Sequence, residues 1–181
     1  MNFSLEISPK TDIDTIPALK DVYITFLPGG DPKETAEKAG ELVRKGCNPI
    51  PHIPARSIEN NNHLKEYIDM CKDLGVKQCL VIGGSREPVG KFESSIQLLE
   101  TGYFEGLKIG IAGHPEGSPD ISDSELEKAM QDKKPYALDL MKPKDPNDII
   151  GKLKDHTDHF HIYTFGGLKE TNKWLMENNY V

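Results

Sequence analysis

The strongest constraint on the fold is a recurring pattern: short apolar runs that break abruptly into glycine, proline and polar residues. Leu80-Val81-Ile82 ends in Gly83-Gly84-Ser85-Arg86-Glu87-Pro88. Val22-Tyr23-Ile24-Thr25-Phe26 ends in Pro28-Gly29-Gly30, and Leu107 to Ala112 breaks into Gly113-His114-Pro115-Glu116-Gly117. Phe160 to Thr164 stops at Phe165-Gly166-Gly167. A buried parallel strand ends this way when its exit loop must approach a ligand, because glycine lets backbone come close and opens positive φ. Between the runs lie segments with helical spacing, so strand and helix alternate with a unit of roughly thirty residues, the signature of a parallel α/β architecture.

In order, strands are predicted at Phe3–Ile7, Val22–Phe26, Asn48–Ile53, Gln78–Ile82, Leu107–Ala112 and Phe160–Thr164. Asp31 is an expected N-cap, with Pro32 at the first helical position and Gly46 at the end. A second helix is predicted to open at Asn62 and to stop at Gly75. Ser94–Gly102, Ser124–Lys134 and Pro146–His156 are further helical expectations, and Leu168–Asn178 closes the chain with its single tryptophan, Trp174. Pro49, Pro51 and Pro54 argue that the third strand is short or bulged, since proline cannot donate to a ladder. The fold class is therefore α/β, a parallel βα repeat forming an incomplete, TIM-barrel-like sheet of about six strands, two short of a closed barrel. Residues 1–181 form one domain, with 1–134 as contiguous βα units and 143–181 as a helix-strand-helix returning to the sheet.

Composition narrows the class. The 181 residues suit one core, and a mean hydropathy of −0.52 suits a soluble protein. No apolar run is long enough for a bilayer, and the first residues carry no secretory leader pattern. A net charge of −7 disfavours a nucleic-acid surface. Cys47, Cys71 and Cys79 lack CxxC spacing and read as small buried hydrophobes in a reducing cytoplasm. Cytoplasmic location, no nucleic acid and no membrane partner are the corresponding expectations.

Parallel α/β folds bind ligands at the C-terminal ends of their strands. The residues there are Glu6, Thr25, His52, Gly83-Gly84-Ser85-Arg86, His114-Pro115-Glu116 and Thr164 to Gly167, a polar rim suited to a small molecule. Each residue also has a plain structural reading: Glu6 as a solvated carboxylate, His52 as a structural histidine, His114 as part of a turn. Gly83-Gly84 lacks the spacing of a dinucleotide fingerprint. His156-x-x-His159-x-His161 has no cysteine or carboxylate set to complete a metal site, so no metal is expected. Lys133-Lys134 reads as the solvated end of a helix, or as a contact for a phosphate.

Several segments, taken in order, resemble the methylenetetrahydrofolate reductase family. They are Leu5 to Lys10, Val22 to Thr25, Pro51-His52-Ile53-Pro54-Ala55-Arg56, Leu80 to Pro88, Phe92 to Gly102, Gly110 to Gly117 and His161 to Trp174. The resemblance implies a (βα)₈ barrel reducing 5,10-methylenetetrahydrofolate to 5-methyltetrahydrofolate in one-carbon metabolism. FAD would be the cofactor and NADH or NADPH the hydride donor. Carried over by position, Glu6 would be the general acid, protonated near neutral pH. Thr25, His52, Gly83, Gly84, Ser85, His114 and Lys133 would face flavin or folate. Three departures accompany the resemblance: Ser85 stands where an aspartate is usual, Ser118 replaces a histidine, and the strand with a folate-binding glutamine has no counterpart after Lys134. The family reading is therefore paired with an alternative, a shortened folate- or flavin-binding relative or assembly partner without turnover. A third reading is a generic sugar-phosphate barrel enzyme. Missing strands would leave parallel edges, so association into a homo-oligomer is expected.

Overall fold

Strand and helix alternate as the apolar pattern requires. The structure, a computed structural model, describes residues 2–112, 124, 125, 128, 132, 159–162, 168–178 and 180. Strands are β1 (Asn2–Ile7), β2 (Asp21–Ile24), β3 (Asn48–Pro54), β4 (Gln78–Ile82), β5 (Lys108–Ile111) and β6 (His159–Ile162). Helices are α1 (Pro32–Arg44), α2 (Asn61–Asp73), α3 (Ser95–Leu99) and α4 (Leu168–Glu177). Among the described residues these strands form one sheet in the order β5-β4-β3-β2-β1-β6, with every pairing parallel. The last strand thus lies beside the first, as it does when a βα repeat curls toward a barrel. The sequence expectation of a parallel, incomplete barrel-like sheet holds.

Alternation along the strands divides the side chains between two faces. Leu5, Ile7, Val22, Ile24, Ile53, Cys79, Val81 and Ile111 join Ala36, Ala39, Leu42, Leu64, Tyr67, Ile68 and Leu98 in the main core between sheet and helices. Full burial of a leucine or isoleucine is worth roughly 2 kcal/mol, so this layer carries most of the stability. The opposite face has its own small cluster of Tyr23, Ile50 and Leu80, with Ile82 against it. That inner face is the one a barrel would enclose.

Local signals set the helix ends. The Asp31 side chain accepts from Lys33 N at 2.8 Å and Pro32 opens α1, as the sequence indicates. For α2 the cap is Asn60, whose side chain accepts from His63 N at 3.0 Å, so the helix starts at Asn61, one residue before the Asn62 expectation. Three successive asparagines make that boundary ambiguous from sequence. The helix expected over Ser94–Gly102 is only Ser95–Leu99, because Thr101 and Gly102 leave the helical path in a turn bonded back to Leu98 and Leu99. The stretch before β2 holds a single 3-10 turn, Ile13–Thr15, capped by Asp12.

The proline-rich β3 is not short. It is the longest strand, seven residues, and it pairs on both sides. Asn48 N donates to Lys20 O at 2.7 Å, so the even-numbered amides of β3 face β2 and the odd-numbered ones face β4. Pro49 and Pro51 are odd, so neither removes a bond to β2. Pairing with β4 begins only at His52, beyond both. The prolines therefore sit where no donor is used.

Helices expected over 124–134 and 146–156 fall mostly outside the described residues; Ser124, Glu125, Lys128 and Asp132 are helical. Among the described residues no helix is long and apolar enough to cross a membrane.

Candidate functional site

The inner face becomes polar toward the C-terminal ends of the strands. The register places Glu6 of β1 opposite Tyr23 of β2, and Tyr23 opposite Ile50 of β3. His52 follows two residues further along β3, on the same face. Glu6 and His52 thus converge across β2, with His52 Nε2 3.6 Å from Glu6 Oε2. The His52 side chain is 5% exposed and that of Glu6 15%. The Tyr23 ring meets the His52 ring edge-on, with centroids 6.2 Å apart. Tyr23, Ile50 and Leu80 form the apolar floor beneath the pair.

The backbone of His52 is held from behind the sheet. Tyr67 of α2, wholly buried, donates its hydroxyl to His52 O at 3.1 Å. Thr35 of α1, itself buried, faces the Tyr67 hydroxyl. Burial pushes the phenol well above the ordinary tyrosine range, so it remains a donor at neutral pH. Two helices thereby fix the strand position that carries the imidazole. No role for Tyr67 was read from the sequence. Its helical spacing in α2 gave its face, whereas its partner came from the packing of α2 on β3.

Above the pair lie the exit loops. Thr25 follows β2 and is half-buried, its backbone N donating to Ile7 O at 2.8 Å. The loop after β4 turns back onto the end of β3: Arg56 N donates to Gly83 O and Val89 N to Arg56 O, both at 3.0 Å. Of the two adjacent glycines, only Gly84 needs positive φ, at 90°. A Cβ there would lie 3.3 Å from Pro54 Cβ, so the loop also packs closely on β3. Gly83 has neither constraint, which corrects the expectation that both glycines serve a special backbone conformation. The tightest approach is at Gly90, where a Cβ would fall 1.9 Å from Glu59 O. Ser85 is exposed at the loop tip. The structure therefore brings Glu6 and His52 together, with Thr25 and the Gly83-Gly84-Ser85 loop at the same end of the sheet. His114 and Lys133 lie outside the described residues, as do Thr164 to Gly167. No group of three or more metal-binding side chains occurs among the described residues.

No family model matches the chain. Its fold is similar to that of a protein described as a phosphonomutase from Burkholderia cenocepacia. The TM-score is 0.53 at 12% identity, over 89% of this chain and 76% of that one. A second structure is the 4-hydroxy-tetrahydrodipicolinate synthase of Methylacidiphilum fumariolicum, with TM-score 0.47 and 10% identity. The alignment covers 86% of this chain and 58% of the synthase. The phosphonomutase comparison defines the class, a parallel βα barrel-type fold. Membership of the methylenetetrahydrofolate reductase family is corrected by these findings, and the folate-reduction reading with it: no family model supports it, and the structure whose fold is shared is described as a phosphonomutase. The ordered segments behind that resemblance are largely strand ends and their glycine-rich exits, which any parallel βα chain needs. The flavin and nicotinamide expectations rested on that resemblance alone.

Proposed function

We propose that this chain is an enzyme of the βα-barrel type that moves a proton at a carbon atom of a small polar ligand, in the lyase or mutase class. The observation that carries the reading is the Glu6–His52 pair, 3.6 Å apart and largely withdrawn from water at the C-terminal ends of two strands. A carboxylate beside an imidazole orients the ring and stabilises its protonated form, which lets the imidazole accept and return a proton. The apolar floor of Tyr23, Ile50 and Leu80 limits solvent on one side and strengthens the electrostatics above it.

The inner-face residues near the pair are Ser4, Tyr23, Thr25, Ile50, Leu80, Ile82 and Gly110, with no lysine among the described ones; Lys108 begins β5 at the opposite end. Among the described residues the groups beside the pair therefore support acid–base chemistry. The fold shared with the phosphonomutase agrees with a lyase or mutase assignment by analogy only.

The test is uptake of solvent deuterium at the carbon next to the carbonyl of small 2-oxo acids, followed by NMR. Wild-type protein should catalyse uptake into at least one acid, and Glu6→Gln and His52→Asn should each lower the rate at least about a hundredfold, the usual scale for a lost general acid or base. No catalysed uptake, or uptake indifferent to both substitutions, would remove the reading.

A further inference from the structure

The chain has 22 lysines and arginines, of which three are arginine: Arg44, Arg56 and Arg86. Two of the three stand beyond the C-terminal ends of β3 and β4, the end of the sheet at which Glu6 and His52 lie. Arg56 lies four residues beyond His52, in the 3-10 turn that ends β3. Arg86 is carried by the loop after β4. Arginine differs from lysine in presenting a rigid fork of donors that matches an oxyanion, so this placement calls for a reason.

The loops hold the Arg56 backbone and bring Arg86 toward the loop after β2. Hydrogen bonds from Arg56 N to Gly83 O and from Val89 N to Arg56 O tie the β4 loop to the backbone on either side of Arg56. A Cβ at Gly84 would lie 3.6 Å from Arg56 Cβ, so the contact is close. The Arg86 guanidinium reaches back over the loop after β2: its Nη1 lies 3.3 Å from where a Cβ on Gly29 would stand. The exits after β2, β3 and β4 are thus linked, the β4 loop bonded to the end of β3 and its Arg86 reaching the loop after β2. Arg56 uses Nε to hold Glu93 O at 3.0 Å, which orients the group and leaves both Nη atoms for other partners. Glu59, Glu87 and Glu93 are the nearest carboxylates in sequence, yet among the described residues neither arginine forms an ion pair with any of them. Among the described residues both guanidiniums therefore keep donors for an anion.

We propose that Arg56 and Arg86 form the anion-binding end of the site and hold the oxyanion group of the ligand, a phosphate, phosphonate or carboxylate, while its reacting carbon lies over Glu6 and His52. The inference rests on the acid–base reading for the reacting end, but the anion site is measurable without it. A charge-assisted, two-point contact fixes the direction of a small ligand, which a single proton-transfer pair cannot do alone.

The experiment is titration of the full chain with inorganic phosphate, methylphosphonate and acetate, read by NMR shifts of the arginine side chains and the Gly83–Gly84 amides. Wild type should bind one of the three saturably. Arg86→Ala should weaken that binding at least tenfold, and Arg86→Lys, which keeps the charge and loses the fork, should fall between them. Arg56→Lys covers the second arginine, and its circular dichroism shows whether loss of the Glu93 contact has unfolded the loop; Arg86 is exposed, so its variants test the proposal independently. Preference for phosphate or methylphosphonate assigns a phosphorus oxyanion, and preference for acetate assigns a carboxylate. Absence of saturable binding by all three, or equal binding by wild type and Arg86→Ala, would overturn the proposal. Saturable binding that Arg86→Ala weakens, together with deuterium uptake indifferent to both Glu6→Gln and His52→Asn, would leave the anion site standing and remove the acid–base reading.

Discussion

Tyr67→Phe removes one hydroxyl from the wholly buried interface of α1, α2 and β3. The oxygen donates to His52 O at 3.1 Å and faces Thr35, whose residue is 1% exposed. The ring stays, so hydrophobic burial and its contact with Phe26, centroids 6.1 Å apart, are retained. What is lost is a donor to one buried carbonyl, at a place with little access to water. Leaving a buried polar group unsatisfied costs roughly 1–3 kcal/mol, and an ordinary net hydrogen bond about 1 kcal/mol. The expected loss is therefore about 1.5–2 kcal/mol, which for a chain of this length lowers Tm by roughly 3–8 °C. Urea unfolding should show a lower midpoint with an unchanged slope, because the surface exposed on unfolding is the same. Because His52 is held through this bond, the variant should also lose rate in the deuterium-uptake assay, by less than His52→Asn. Unchanged Tm together with an unchanged rate would refute the claim that Tyr67 fixes the imidazole-bearing strand.

Gly90→Ala should destabilise the β4 loop or prevent it from docking, since the new Cβ would fall 1.9 Å from Glu59 O and 2.5 Å from Glu59 C. Proteolysis within 83–90 that is faster than in wild type checks this. Asp31→Ala removes the N-cap of α1 and should cost about 1 kcal/mol, measured as a shift in urea midpoint. Stability should decline at alkaline pH, since burial pushes the Cys71 thiol from 9.0 to about 12 and raises Cys79 as well. With the folded value raised, stabilisation is complete below pH 9 and is lost as pH rises toward 12. For Cys71 alone the loss at pH 10 is roughly 1.4 kcal/mol, and Cys71→Ala should flatten the pH dependence of the melting temperature by about that contribution.

The parallel sheet was legible because apolar runs, capping residues and glycine exits all pointed to the same architecture. Asp31-Pro32 and Gly46 marked the ends of α1 from chemistry that is local in sequence. β3 was misjudged because the harm done by a proline depends on which neighbour its missing amide would face, and that depends on register. In the site, Glu6 and His52 were both on the sequence-derived rim, but their approach to 3.6 Å is a consequence of β1, β2 and β3 lying side by side. The tie from Tyr67 to His52 and the reach of Arg86 to the loop after β2 depend on packing between distant segments. Nothing in their local spacing announces them. The reductase resemblance failed for a related reason: it was built on strand ends whose form is dictated by the βα fold rather than by one chemistry.

The central claim is that Glu6 and His52 act as one unit. A double-mutant cycle on the deuterium-uptake rate tests it most directly, using Glu6→Gln, His52→Asn and both together. Residues that share one proton-transfer role are strongly non-additive, so the double variant should be no slower than the slower single variant. A double variant slowed by the product of the two single effects would show that the groups act independently and would contradict the account.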